Sequence, residues 1–280
     1  MDANLRTRIL TALGLGSVFV GAVVISEYSS VLIFLIIALT GLWEFYTLIA
    51  KNAEVKPQKF AGTVLGLLLY ITGIALTVLA DSTGISLMEW KKIGAGFLLL
   101  FLGIATIEMF RKRVQSFQNV STTLFGAFYT CMPFTLLVNC GVDAQGNYAP
   151  WTIMGFFFII WASDTGAYFV GRSFGKHKLA ERLSPKKTVE GFIGGIFASA
   201  LVAYLISMYN SMLSVTAWII CGIVLAIAGT AGDLFESMLK RQLGVKDSGN
   251  ILPGHGGILD RFDSTYFAAP VFWMFVKLLS

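Results

Sequence analysis

Charge is what this sequence has least of. Of its 280 residues only 13% are Asp, Glu, Lys or Arg, about half the share of an ordinary soluble domain. So few charges cannot cover a water-facing surface, which excludes a single soluble globule. With 56% hydrophobic residues, the same scarcity excludes disorder, which needs low hydrophobicity and high charge. Histidine and cysteine are also scarce. His177 and His255 lie in polar loops, while Cys131, Cys140 and Cys221 fall in apolar stretches. No CxxC pair and no Cys/His cluster at zinc spacing is present, so the cysteines read as small packing residues. Six prolines and 29 glycines show no collagen or linker bias.

What is present is apolar sequence in long runs. A membrane helix needs about 20 mostly apolar residues, and about nine runs qualify or nearly qualify. They lie at 9–26, 31–50, 60–80, 93–110, 121–140, 151–171, 189–209, 215–233 and 264–279, the eighth continuing as a polar helix toward Leu243. The expected fold class is therefore all-α, a polytopic integral membrane protein. Placing alternate connections on opposite sides puts 18 of the 21 basic residues on the side of the N-terminus. By the positive-inside rule that side is the cytoplasm. The sequon Asn119-Val120-Ser121 falls there too and is discounted. The net charge of +5 is thus a basic rim for lipid heads or an anionic substrate, with no case for nucleic acid. Residues 1–150 are mostly apolar helices with short turns, suited to membrane packing and a dimer surface. Residues 151–280, with loops 172–188 and 234–263, hold most of the residues suited to chemistry.

Acidic groups at membrane depth are costly and usually functional. Glu44 and Glu108 stand near helix ends, where an interfacial position or a helix–helix hydrogen bond accounts for them. Asp164 and Asp233 have no such simple account. Asp233, Ser237, Lys240 and Arg241 stand at i, i+4, i+7 and i+8, one face of a helix. That face suits a metal-bound phosphate, although a carboxylate paired with its own i+7 and i+8 cations would also satisfy it. Gly229 and Gly232 just before it permit close approach of another helix. The following loop carries Lys246, then Gly254, His255, Gly256 and Gly257, whose backbone N–H groups can approach an anion. Asp260 and Asp263, at i and i+3 before the last helix, can share Mg²⁺ with Asp233, since oxygen ligands plus substrate phosphates are its usual setting. Helix capping explains one such aspartate but not three.

The run Ser237-Met-Leu-Lys240-Arg241, four residues, Lys246-Asp247-Ser-Gly249, then Leu252-Pro253-Gly-His255-Gly256-Gly257-Ile-Leu-Asp260-Arg261-Phe262-Asp263 resembles the signature of the phosphatidate cytidylyltransferase (CDP-diacylglycerol synthase) family. A second stretch is similar: Ala162-Ser163-Asp164-Thr165-Gly166-Ala167-Tyr168, Gly171-Arg172, Gly175-Lys176 and Ser184-Pro185-Lys186-Lys187-Thr188-Val189-Glu190-Gly191. The resemblance covers at least residues 160–263, and Trp43-Glu44-Phe45 adds a weaker likeness.

That resemblance implies an enzyme of phospholipid biosynthesis that transfers CMP from CTP to phosphatidic acid, giving CDP-diacylglycerol and pyrophosphate. It implies Mg²⁺ as cofactor, with one or two cations bound, and an active site at the cytoplasmic face of the cell membrane among membrane lipids. It also suggests a homodimer. The family's metal aspartates carry over to Asp233, Asp260 and Asp263. Cations must bring two anions together, and Lys186, Lys187, Lys240, Arg241, Lys246 and Arg261 are the candidates. His255 either donates to pyrophosphate or orders its loop. Asp164, Tyr168 and Arg172 share a helix face, with Asp164 placed to orient a cation or help hold metal. Ser184 to Thr188 is expected to start the seventh helix and aim its N-terminus at phosphate; without the resemblance it reads as a basic loop. Ser237 completes the substrate-binding set. A transporter with Asp164 and Asp233 as cation sites is the competing class. Against it, the charges gather at helix ends and no inverted repeat is evident.

Overall fold

A computed structural model describes residues 3–78, 87–143, 145–251 and 256–279. His255 and Gly254, expected to face an anion, lie outside the described residues. Nine helices occur among those described: α1 (Ala3–Ile25), α2 (Glu27–Ile49), α3 (Lys59–Val78), α4 (Leu87–Phe110), α5 (Ser116–Cys140), α6 (Pro150–Phe174), α7 (Val189–Ser207), α8 (Val215–Gln242) and α9 (Asp263–Leu279). Each covers one expected apolar run, and α8 does continue past the run into polar sequence. Six of them are long and apolar enough to cross a membrane, and the chain is an integral membrane protein.

Local chemistry sets several boundaries. Ser26, Thr188 and Ser214 cap α2, α7 and α8, each side chain accepting a backbone N–H three residues on. Pro150 opens α6, where its missing N–H is not needed. α8 ends at Gly244, with φ of 67°. There Val245 N–H donates to Lys240 O at 3.0 Å and Gly244 N–H to Arg241 O at 3.1 Å, a left-handed helix stop that suits glycine. The segment expected to begin the seventh helix differs. Ser184–Thr188 is a strand, β2, paired antiparallel with β1 (Lys178–Ala180). Its Pro185 and two lysines favour an extended, solvated edge, and the helix starts only after the Thr188 cap.

In a bilayer, helices gain little from hydrophobic transfer and associate through close packing and internal hydrogen bonds. Both are visible here. α6 and α7 cross so closely that a methyl on Gly166 would meet Gly194 O at 2.9 Å. Phe34 stacks between Phe134 and Phe157, joining α2, α5 and α6. Glu108 is buried on α4 and accepts hydrogen bonds from Gln58, Asn119 and Arg111 at 2.9, 2.6 and 2.7 Å. It is a helix–helix clasp, as its position suggested. Contacts also sort the loops by end. Lys56 N–H donates to Asn119 and Arg241 reaches Leu183 O within the basic set. Tyr148 donates to Val23 O and Lys277 to Val142 O within the other.

Candidate active site

α8 supplies one wall of the site. Its Gly232 has no room for a side chain, since a Cβ there would lie 2.5 Å from Asp263 O. This close approach seats the start of α9 against α8 and places Asp233 beside Asp263. The carboxylate of Asp233 bonds Lys187 Nζ of β2 at 2.5 Å, so it does not spend itself on the cations of its own helix. Both side chains keep over a quarter of their surface exposed, 27% for Lys187 and 30% for Asp233. Ser237 Oγ is 3.4 Å from the other Asp233 oxygen. Asp164 of α6 completes an acidic group: Lys187 and Asp233 act on it, and Asp233 and Asp164 act on Asp263. Asp263 Oδ1 accepts the Ser264 N–H at 2.6 Å.

Asp260 stands in a 3₁₀ turn, Leu259–Arg261, just before α9. Lys240 Nζ reaches its Oδ1 at 2.6 Å. Its Oδ2 accepts the Ser248 N–H and hydroxyl, both at 2.9 Å, and the Gly257 N–H at 3.0 Å. Partial burial pushes the Asp260 carboxyl up, but the Lys240 ammonium and these backbone donors outweigh it and hold it at about 2. The anion that Gly257 holds is therefore the chain's own Asp260. Gly256 turns beside it with φ of 81°, where only glycine is comfortable.

Among the described residues no three His, Cys, Asp or Glu side chains are gathered closely enough to hold a metal unaided. Asp260 bonds Lys240 and the loop, while Asp233, Asp263 and Asp164 form a second, looser group that interacts through charge. The donor chemistry of that second group still fits Mg²⁺. Lys187 is bonded to Asp233 and acts on Asp164, and Mg²⁺ is usually held by one or two carboxylates with substrate phosphates and water.

The other expected residues fall around this centre. Lys186 and Lys246 are exposed. Arg241 is exposed and donates weakly to Leu183 O at 3.4 Å, bracing the hairpin. Arg172 bonds the Tyr168 hydroxyl at 2.9 Å, as their i, i+4 spacing implies. Thr188 is buried as the α7 cap, with Ser184 half-buried at the far end of β2. Arg261 is exposed beside Asp260.

Two residues carry more than their sequence positions suggested. Glu236 is fully buried on α8, its Oε1 3.1 Å from Lys240 Nζ; its place at i+3 from Asp233 and i−4 from Lys240 was the available signal. Glu44 of α2 is 4% exposed and accepts the Leu259 N–H at 2.9 Å. Side chains on Gly249 or Gly257 would collide with its carboxylate. It is neither an interfacial group nor a helix–helix bond, but a clamp on the loop that holds Asp260.

The sequence matches the cytidylyltransferase family over residues 6–279. A phosphatidate cytidylyltransferase of Bacillus subtilis is 33% identical over 279 residues, 99% of each chain. One of Staphylococcus aureus is 38% identical over 209 residues, 73% of this chain and 76% of that protein. A Staphylococcus epidermidis protein of the same name is 39% identical over 186 residues, 65% of this chain and 70% of its own.

Proposed function

The chain belongs to the cytidylyltransferase family, and from that premise we propose that it transfers CMP from CTP to phosphatidate in phospholipid biosynthesis. It is a nucleotidyltransferase; the substrates, the metal and the membrane face are our reading. The observation that carries it is the cluster of Asp164, Asp233 and Asp263 with Lys187, open to solvent at one end of the helices. One acidic cluster and adjacent lysines suit a reaction that joins two phosphates.

In this reading an oxygen of the lipid phosphate forms a bond to the α-phosphorus of CTP. The bond from that phosphorus to the bridging oxygen breaks, and pyrophosphate leaves with the electron pair. A phosphate monoester is already anionic at neutral pH, so no strong base is needed. Asp233 and Asp263, with Asp164 beside them, would hold Mg²⁺, which offsets phosphate charge when bound. Lys187 is half-exposed and, among the described residues, bonded to one carboxylate, so it can turn to a phosphate oxygen. Lys240 is fixed between Glu236 and Asp260 and contributes a stationary positive charge. Glu44 and the glycines keep the Asp260 loop in place, so little reorganisation remains for the reaction. The concentration of basic residues on this side argues for the cytoplasmic face of the cell membrane.

The test is pyrophosphate release by the purified protein given CTP, phosphatidate and Mg²⁺. Release that needs all three supports the reading; release without phosphatidate, or none at all, overturns it.

A further inference from the structure

We propose that the basic groove where α3 begins and α4 ends binds the headgroup of an anionic phospholipid from the surrounding bilayer. The groove encloses about 420 Å³ and is lined by Pro57 to Ala61 with Ile107 and Arg111, room for a glycerophosphate group. The loops on either side of it lie together: Arg111 donates to Lys56 O at 3.0 Å, and Gln115 to Glu54 at 3.2 Å. This corner carries Lys51, Lys56, Lys59, Arg111, Lys112 and Arg113 against Glu54 and Glu108. Glu108 is already taken by Gln58, Asn119 and Arg111. Lys59 is half-buried; its ammonium donates to Thr47 Oγ1 at 2.9 Å and lies 5.5 Å from the centre of the Trp43 ring. Lys56 is half-buried too and donates to Ala50 O at 2.6 Å. Among the described residues neither ammonium has a carboxylate partner. Basic residues that only mark one side of a membrane can stand free in water. Ammonium groups drawn partly out of water without a counter-ion call for an anion.

The other wall of the groove says which anion. Phe60 and Ile107 line it and are exposed. Leu99, Ile107 and Phe110 stand at i, i+8 and i+11, one face of α4, and all three are exposed. In a membrane that face lies against hydrocarbon. A molecule whose phosphate sits at Lys59 and Arg111 therefore has an apolar surface to follow along α4. A nucleotide or inorganic phosphate has no part that matches it, whereas an anionic phospholipid matches both, as basic pockets between helix ends do. Trp43, exposed beside Lys59, is a residue type that favours the lipid headgroup level. The groove is also apart from the acidic cluster. α3 and α4 pack chiefly on α2 and α5, while Asp164, Asp233 and Asp263 stand on α6, α8 and α9. The inference is thus independent of the transferase reading.

Trp43 is a reporter already in place. The full-length protein would be reconstituted in phosphatidylcholine vesicles with a rising share of phosphatidylglycerol brominated on its chains. A parallel series would use brominated phosphatidylcholine. Bromine quenches a nearby indole, and the difference between each protein and its Trp43→Phe version isolates the Trp43 signal. That signal should be half-quenched at a several-fold lower share of the anionic lipid than of the neutral one. Lys59→Gln should raise the half-quenching share of the anionic lipid roughly fivefold, the weight of one basic side chain at a charged lipid surface. Lys59→Arg should keep the wild-type value. Arg182→Gln, which removes an exposed cation from the hairpin, should keep it too. Equal quenching by the two lipids, or none because a second copy covers the groove, would overturn the inference. So would an equal shift in Lys59→Gln and Arg182→Gln, the mark of diffuse surface charge. Loss of the lipid preference on adding millimolar glycerol 3-phosphate would mark a site for free phosphates and overturn it as well. The transferase reading stands or falls separately, by pyrophosphate release.

Discussion

Replacing Asp260 by Asn should separate the structural from the chemical share of the site. In the native chain Asp260 is held at about 2, against an ordinary 3.8, by Lys240, Gly257 and Ser248. That preference for the ionised form corresponds to roughly 2.5 kcal/mol, since a tenfold change is 1.36 kcal/mol. The side chain is 9% exposed, so screening by water takes little from it. For a chain of this size 1 kcal/mol moves Tm by roughly 2–4 °C, and Asp260→Asn should melt roughly 5–10 °C below wild type at pH 7. The sign with pH follows from the lowered carboxyl. Its contribution is complete above the unfolded value near 4 and disappears as pH falls from there toward 2. The gap between the two melting curves should therefore close over that interval. Thermal unfolding in detergent from pH 7 to pH 3 reads this directly. A gap that stays constant down to pH 3, or no gap at pH 7, refutes the reasoning. Turnover at pH 7 should drop by about 10²–10³, because Asp260 fixes Lys240, the stationary positive charge offered to the phosphates.

Other outcomes follow from single contacts. Lys187→Ala should lower kcat/KM on the order of tenfold or more by removing the half-exposed lysine bonded to Asp233, and an unchanged value would remove Lys187 from the site. Gly232→Ala forces a methyl against Asp263 O and Phe267, at 2.5 and 3.2 Å; it should lose about 1–3 kcal/mol of stability, and an unaltered Tm would show that α9 does not need this approach. Glu44→Leu strands the Leu259 N–H, at a cost of about 1–3 kcal/mol, while Glu44→Gln keeps an acceptor and should melt within a few degrees of wild type. Equal losses in the two Glu44 variants would show that charge, not the bond to Leu259, is what matters.

The helices were legible because a bilayer imposes a length and a composition on each span, and all nine runs emerge as helices. The alternation of basic loops was legible for the same reason. The hairpin at 178–188 was not, since a short strand between two helices has no hydrophobic period to mark it; Pro185 was the available cue. Within the site, the spacing of Asp233, Ser237, Lys240 and Arg241 gave a common face but not the partners. Lys187 comes from another element to meet Asp233, and Asp260, twenty residues on, takes Lys240. Such pairings depend on how loops return across the helix ends. Glu44 was the least visible, because its partner Leu259 lies 215 residues away and donates through its backbone, which leaves no mark in side-chain chemistry. Glu236 was visible in principle, between Asp233 and Lys240 on α8, but a mid-helix glutamate near a lysine reads as an ordinary surface pair.

The most direct measurement follows the fate of the CTP phosphorus. The purified wild-type protein would be given phosphatidate and Mg²⁺ with CTP labelled at either the α- or the γ-phosphorus, and the lipid phase extracted and counted. Label from the α position should enter the lipid fraction in equal amount to the pyrophosphate released, while γ label should stay in water and EDTA should abolish both. Transfer of γ label to lipid, or no α label in lipid despite intact protein, would contradict the account.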